Sequence, residues 1–218
     1  MTRALIVAIL IALTTTLSAQ QATLSDQSKA TAIAAGTKDK GKLTGLVLED
    51  SGQKFTNVLA ALNHTPIGNA GFSLRVYTPT TWIAQQAADA AKAYRPFTTD
   101  DITDEMLAPI LRVVVYPDTP TLLTGAGMSA ASSVEHVVLR DANKTLVVQP
   151  TTEEPFTDTL SSALRDKAYE GVTATFPLDA LATLRGAKGD QEFLIVVVGA
   201  GTKERVFTVK SKHFERLP

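Results

Sequence analysis

The chain has 218 residues and no cysteine. That removes disulfide staples, thiol nucleophiles, thiolate zinc sites and iron–sulfur clusters together, so a folded body must rest on its apolar core alone. Histidine is almost as scarce. His64, His136 and His213 stand far apart, and none has a neighbour at metal-ligand spacing. Aromatic residues make up 6% of the chain and include one tryptophan, Trp82, so each aromatic cluster has to be located individually. Charge of one sign is lacking too: 21 Lys and Arg face 22 Asp and Glu, for a net charge of −1. That balance argues against nucleic acid and against electrostatic docking to an anionic membrane. A long apolar run is also missing. The stretch Ala4–Leu13 breaks at Thr14-Thr15-Thr16, well short of the roughly 20 residues a spanning helix needs.

What the N-terminus does carry is one cation, Arg3, then that short apolar stretch, then Leu17-Ser18-Ala19. A charged start, a short apolar core and a small residue at the exit describe a Sec-type signal peptide over residues 1–19, with cleavage after Ala19. No cysteine follows, so a lipid-anchored lipoprotein is excluded. The expectation is an exported protein, periplasmic or extracellular, with no membrane span after cleavage. The lack of cysteine in an exported chain leans towards a bacterial source. Residues 20–42 have no apolar period and are rich in Ala, Thr, Ser, Lys and Gly, which reads as a flexible linker.

The remaining residues, 43–218, are long enough to bury a substantial core. Their clearest feature is Glu192–Lys210. Phe193–Val198 is an unbroken apolar run rich in β-branched residues, as expected of a strand covered on both faces. Gly199-Ala200-Gly201-Thr202 supplies a reversal, and Lys203–Lys210 alternates, with Arg205, Phe207 and Val209 on one side. Further strands are expected at Leu43–Glu49, Phe72–Tyr77, Ile110–Tyr116 and Gly171–Phe176, with a second hairpin formed by Val134–Leu139 and Thr145–Gln149. Phe55–Leu62 has the spacing of a short helix. Thr151–Glu170 reads as polar, with at most one helical turn.

Between the third and fourth strands an insertion at about 80–107 breaks the β pattern. Pro79-Thr80-Thr81 opens a helix over Trp82–Tyr94, with a threonine available as N-cap and Ile83, Ala87, Ala90 and Tyr94 as its apolar stripe. Thr98-Thr99-Asp100-Asp101 opens a second short helix that ends before Pro109. The sum is a mainly β domain: a β-sandwich, immunoglobulin-like in its C-terminal half, with a short helical insertion. A two-layer α+β arrangement is the alternative.

Chemistry is sparse. Gly125-Ala126-Gly127-Met128-Ser129-Ala130 matches the spacing of a dinucleotide loop, but strand rather than helix follows it, so it reads as an ordinary loop and no cofactor is expected. Asp100, Asp101, Asp104 and Glu105 sit at helix starts, where carboxylates meet the positive end of the dipole. With no glycine turn among them they read as caps, and no metal site is expected. His136 lies in an alternating strand, His64 in a turn and His213 in a basic tail, none of which suggests a catalytic base. Lys203, Arg205, Lys210 and Lys212 are expected to guard an edge strand.

Aromatic residues on the insertion are the best interaction candidates: Tyr77, Trp82 and Tyr94. For Trp82 the plainer role is to anchor its helix to a sheet. The expected function is that of an exported, non-enzymatic module that binds or scaffolds a protein or glycan of the cell envelope or extracellular space. An extracytoplasmic hydrolase with its site in the long loops is the alternative.

Overall fold

A computed structural model of the chain describes residues 24–39, 45–49, 72–117, 134–161, 166–199 and 203–217. The expected signal peptide, the helix at 55–62, His64 and the glycine-containing loop at 125–130 lie outside these residues. Nine strands are described: β1 (Leu46–Glu49), β2 (Phe72–Tyr77), β3 (Ile110–Pro117), β4 (Val134–Asp141), β5 (Val147–Val148), β6 (Thr152–Ser161), β7 (Asp166–Pro177), β8 (Phe193–Gly199) and β9 (Lys203–Val209). Four α-helices accompany them: α1 (Asp26–Asp39), α2 (Pro79–Lys92), α3 (Asp104–Leu107) and α4 (Ala180–Leu184).

The strands form two antiparallel sheets. One runs β1-β2-β3-β7-β6 and the other β5-β4-β8-β9. Alternation decides what each sheet buries, because side chains two apart share a face. Leu74, Val76, Leu111, Val113, Val115, Ala174 and Phe176 of the first sheet join one apolar cluster with Val137, Leu139, Phe193, Ile195, Val197 and Val209 of the second. The two sheets therefore face each other across a shared core.

The C-terminal hairpin has the predicted form. β8 pairs with β9 from Phe193↔Val209 to Gly199↔Lys203, and Phe207 and Val209 point inward while Glu204 and Val206 point out. β8 also pairs with β4, so it is a central strand and β9 an edge. Its outward residues Leu194 and Val196 are buried with Val138. The Arg140 guanidinium reaches across β8 on this face to the Glu204 carboxylate, with contacts of 3.0 and 2.7 Å. The β4–β5 hairpin also forms, closed by the Asp141 carboxylate, which accepts from the Thr145 and Leu146 amides at 2.7 Å each. Those bonds hold the Asp141 carboxyl below its ordinary range.

Three expectations are corrected. Residues 26–39, read as flexible linker, form helix α1. Its contact with α2 is made by small side chains, with Ala32 buried against Ile83 and Ala84. A Cβ on Gly36 would meet the Ala84 carbonyl closer than any real Cβ approaches. Glycine there lets the two backbones touch, which compensates for its poor helix propensity. Second, Thr151–Glu170 is not a polar loop. β6 and β7 pair through ten residues, from Thr152↔Thr175 to Ser161↔Asp166. β6 reads as polar because it is an edge strand whose Thr152 and Glu154 are exposed.

Third, the insertion falls between the second and third described strands, and α2 starts earlier than predicted. Thr78 is its N-cap and Pro79 occupies the first turn, where a missing N–H costs nothing. The Thr78 amide donates to the Thr81 hydroxyl at 2.8 Å while the Thr81 amide donates back to the Thr78 hydroxyl, a reciprocal box. Among the described residues, no helix is long and apolar enough to cross a membrane.

Candidate functional site

The outward face of the β1-β2-β3-β7-β6 sheet gathers two arginines and four aromatic side chains. On β2, Arg75 and Tyr77 alternate with the core residues Leu74 and Val76. On β3, Arg112 pairs in register with Tyr77, and Val114 with Arg75. Trp82, in the first turns of α2, bridges the two strands. Its ring meets Tyr77 edge-on at 5.1 Å, and the Arg112 guanidinium lies 4.5 Å from its centroid. Arg112 is buried, and its Nη2 donates to Glu105 of α3 at 2.9 Å. Burial pulls the Arg112 pKa down, and Glu105 acts against that. Trp82, Arg112 and Glu105 thus tie both helices of the insertion to the sheet, which is the anchoring role rather than a free binding ring.

A second group continues across the sheet. The Arg75 guanidinium lies 4.3 Å from the Tyr116 ring and donates to its hydroxyl at 3.2 Å. Tyr116 in turn meets Phe156 of β6 edge-on at 5.1 Å. These two residues are not neighbours in the sheet, since β7 lies between their strands. They touch because β7 places Gly171 opposite Phe156, leaving room for the ring over its backbone. Arg75, Tyr116 and Phe156 are all partly exposed.

Of the three predicted site residues, Tyr77 and Trp82 are brought together and Tyr94 is not. Tyr77 is buried, so it serves packing and cannot contact a partner. Tyr94 lies at the other end of α2, about 18 Å along the helix axis from Trp82 at 1.5 Å per residue. It does not join the Ile83–Ala87–Ala90 stripe either. Those three are buried, whereas Tyr94 is 99% exposed.

The reason is the helix cap. The Arg95 amide bonds back to the Ala90 carbonyl at 2.9 Å and the Tyr94 amide to Ala91 at 3.1 Å, which is a Schellman ending. That ending puts Tyr94 at φ 56°, a left-handed conformation that favours glycine. Tyr94 is thus a large ring at a position where its backbone is strained and its side chain touches solvent.

Of the acidic residues of the insertion, Asp101 acts as a cap and Glu105 as the partner of Arg112. The Asp101 carboxylate accepts from the Thr98 amide at 2.7 Å and its hydroxyl at 3.0 Å, bonds that hold the Asp101 carboxyl below its ordinary range. Among the described residues, no three His, Asp or Glu side chains could hold one metal ion. His136 pairs with Glu153 across the two sheets at 3.2 Å, and His213 accepts from the Lys210 amide at 3.1 Å.

Burial pushes the Tyr77 hydroxyl up to about 12, with the Arg75 charge opposing. A folded-state value above the unfolded one, about 10 for tyrosine, means that the stability Tyr77 contributes is complete below pH 10. It is lost as pH rises through 12. The amount is about 2–3 kcal/mol. Urea unfolding at pH 9 and pH 12, compared with Tyr77→Phe, should show the native chain losing that much more than the variant. Equal losses would show that Tyr77 ionises as freely folded as unfolded.

No family model matches the chain, and no solved structure matches it. Over 57 residues it is 49% identical to "Uroporphyrinogen-III synthase, chloroplastic" of Oryza sativa subsp. japonica. That stretch is 25% of this chain and 18% of the rice protein, so the chain spans less than a fifth of that relative's length. A segment of that size does not place the chain in the rice enzyme's family.

Proposed function

We propose that the chain is an exported, non-enzymatic, immunoglobulin-like module that binds or scaffolds a protein or glycan of the cell envelope or extracellular space. The strand order supports the immunoglobulin-like part. With β2, β3, β7 and β6 as strands A, B, E and D, and β5, β4, β8 and β9 as C′, C, F and G, the two sheets follow the order of that sandwich. β1 then extends the first sheet beyond A, and the helical insertion occupies the A–B connection. The chain departs from antibody domains in lacking the cysteine pair between B and F. A fold of this kind hosts many functions, so the binding role rests on the surface.

The observation that carries it is Tyr94. Glycine at this position would relieve about 1 kcal/mol of backbone strain. A strained residue that packs against nothing among the described residues is best accounted for by a contact outside them, with a partner. The near-neutral charge favours a protein or glycan over nucleic acid. The charged start and short apolar core of residues 1–19 support export to a periplasmic or extracellular setting with no membrane span after cleavage, and the lack of cysteine supports a bacterial source.

The test compares the chain beginning at Gln20 with its Tyr94→Gly variant for retention on envelope fragments. The variant should be more stable by about 1 kcal/mol and bind at least about fivefold more weakly. A gain in stability with unchanged retention would leave Tyr94 without a partner and remove the binding role. Release of soluble fragments from the envelope by the native chain would replace it with the hydrolase alternative.

A further inference from the structure

An open cleft of about 430 Å³ lies beside α4 and the loop that follows it, bounded also by Thr78 and by Leu217, which follows the C-terminal 3₁₀ turn (Ser211–Arg216). Its size falls within the range of small-molecule sites. Leu178, Leu181 and Leu217 give it an apolar wall, and Arg185 and Lys188 bring two cations to it. We propose that this cleft binds a small carboxylate with a short apolar chain, its carboxylate against Arg185 and its chain along the three leucines.

Arg185 carries the argument. It is the C-cap residue of α4, and its guanidinium lies 3.7 Å from the Phe214 ring centroid. Phe214 is itself stacked on the core residue Phe193, so the platform beneath the cation is fixed. One Nη2 hydrogen is taken by the Gly189 carbonyl. The Nε atom is buried with no hydrogen-bond partner. No described carboxylate forms an ion pair with Arg185, although Arg112 and Arg140 each have a glutamate.

That buried Nε is out of a ligand's reach, so an incoming carboxylate would meet the Nη end of Arg185, a residue that is only partly buried and lines the cleft. Partial loss of water there strengthens the pull on an acceptor. The planar edge of arginine matches a carboxylate in two parallel hydrogen bonds. Lys188 adds attraction of the same sign without that geometry. The loop itself is shaped for such an approach. Gly186 and Gly189 both have positive φ, and the Gln191 amide returns to the Arg185 carbonyl at 3.1 Å, closing the turn that holds the two cations. The leucines decide between carboxylates: Leu178 is partly exposed and Leu181 and Leu217 show narrow edges, a strip that a bare acetate would leave uncovered and four or five carbons would cover. Burial of each methylene favours the longer chain.

Calorimetric titration of the chain beginning at Gln20 would use hexanoate, N-acetyl-leucine, acetate, hexanol and inorganic phosphate as probes. Hexanoate should bind at least about tenfold more tightly than either acetate or hexanol. N-acetyl-leucine at equal or higher affinity would identify a peptide C-terminus as the natural source; preference for hexanoate would identify a free acid. Arg185→Gln should weaken hexanoate at least about tenfold, and Lys188→Ala, on the exposed rim, about two- to fivefold. If Arg185→Gln fails to fold, Lys188→Ala and the comparison of hexanoate with hexanol still decide. Equal binding of phosphate and hexanoate, equal binding of hexanol and hexanoate, or an undisturbed Lys188→Ala variant would each overturn the proposal.

Discussion

Replacing Phe193 by alanine is expected to cost about 3–5 kcal/mol, the usual range for deleting a fully buried phenylalanine. Phe193 is 0% exposed and begins the central strand β8, opposite Asp141 on one side and Val209 on the other. Its ring stacks on Phe214 with centroids 6.5 Å apart and planes 13° from parallel. Loss of the ring empties a space between the sheets and removes the support under the C-terminal 3₁₀ turn. Domains are commonly stable by only about 5–15 kcal/mol, so the loss takes a large fraction of the total. Urea unfolding should show a lower midpoint with an unchanged slope. A cost under about 1.5 kcal/mol would mean that the neighbouring side chains close the cavity, against the packing described.

Gly171→Ala should also destabilise, although the same change in an ordinary strand gains up to about 1 kcal/mol by restricting the unfolded chain. Here the added Cβ would meet the Val115 carbonyl and lie 2.6 Å from the Phe156 ring. Neither can yield easily: the carbonyl belongs to central strand β3, and the Phe156 ring is held by Tyr116. Overpacking of this kind costs about 1–3 kcal/mol, so strain outweighs the entropic gain and the net loss should be about 2 kcal/mol. Near-ultraviolet circular dichroism should change with it, because Phe156 is displaced from Tyr116. A neutral or stabilised variant would show that β7 and β3 are less closely paired than their register implies.

How much of this was legible depends on how far apart the determinants lie in the chain. The β8–β9 hairpin could be read directly, since an apolar run, a glycine turn and an alternating arm follow one another. The cap of α2 was only half legible: three threonines compete for the role, and Pro79 selects Thr78 by occupying the first turn. α1 left no apolar period to find, because its contact with α2 uses Ala32 and Gly36, whose value is smallness and not hydrophobicity. The same holds for the aromatic and guanidinium face. Arg75, Arg112, Trp82 and Tyr116 meet only through the β2–β3 register and the seating of α2, so no local spacing announces them. Tyr94 fits the helical period yet lies off the stripe, since the Schellman ending turns the chain one residue before the period would place it inside.

The sheet order also sets a timetable. The hairpins β4–β5, β6–β7 and β8–β9 join neighbours in sequence and can form early. The pairings that close the body, β3 with β7 and β4 with β8, join residues such as Val113 and Ala174 or Val138 and Val196, roughly sixty positions apart. Loops of that length must close before those contacts are rewarded, which places folding in the millisecond-to-second range typical of β-sandwiches. β3 cannot complete its hydrogen bonds until β7 is available, nor bury its inward face until β8 is. A growing chain therefore stays open until the last quarter of these residues has emerged.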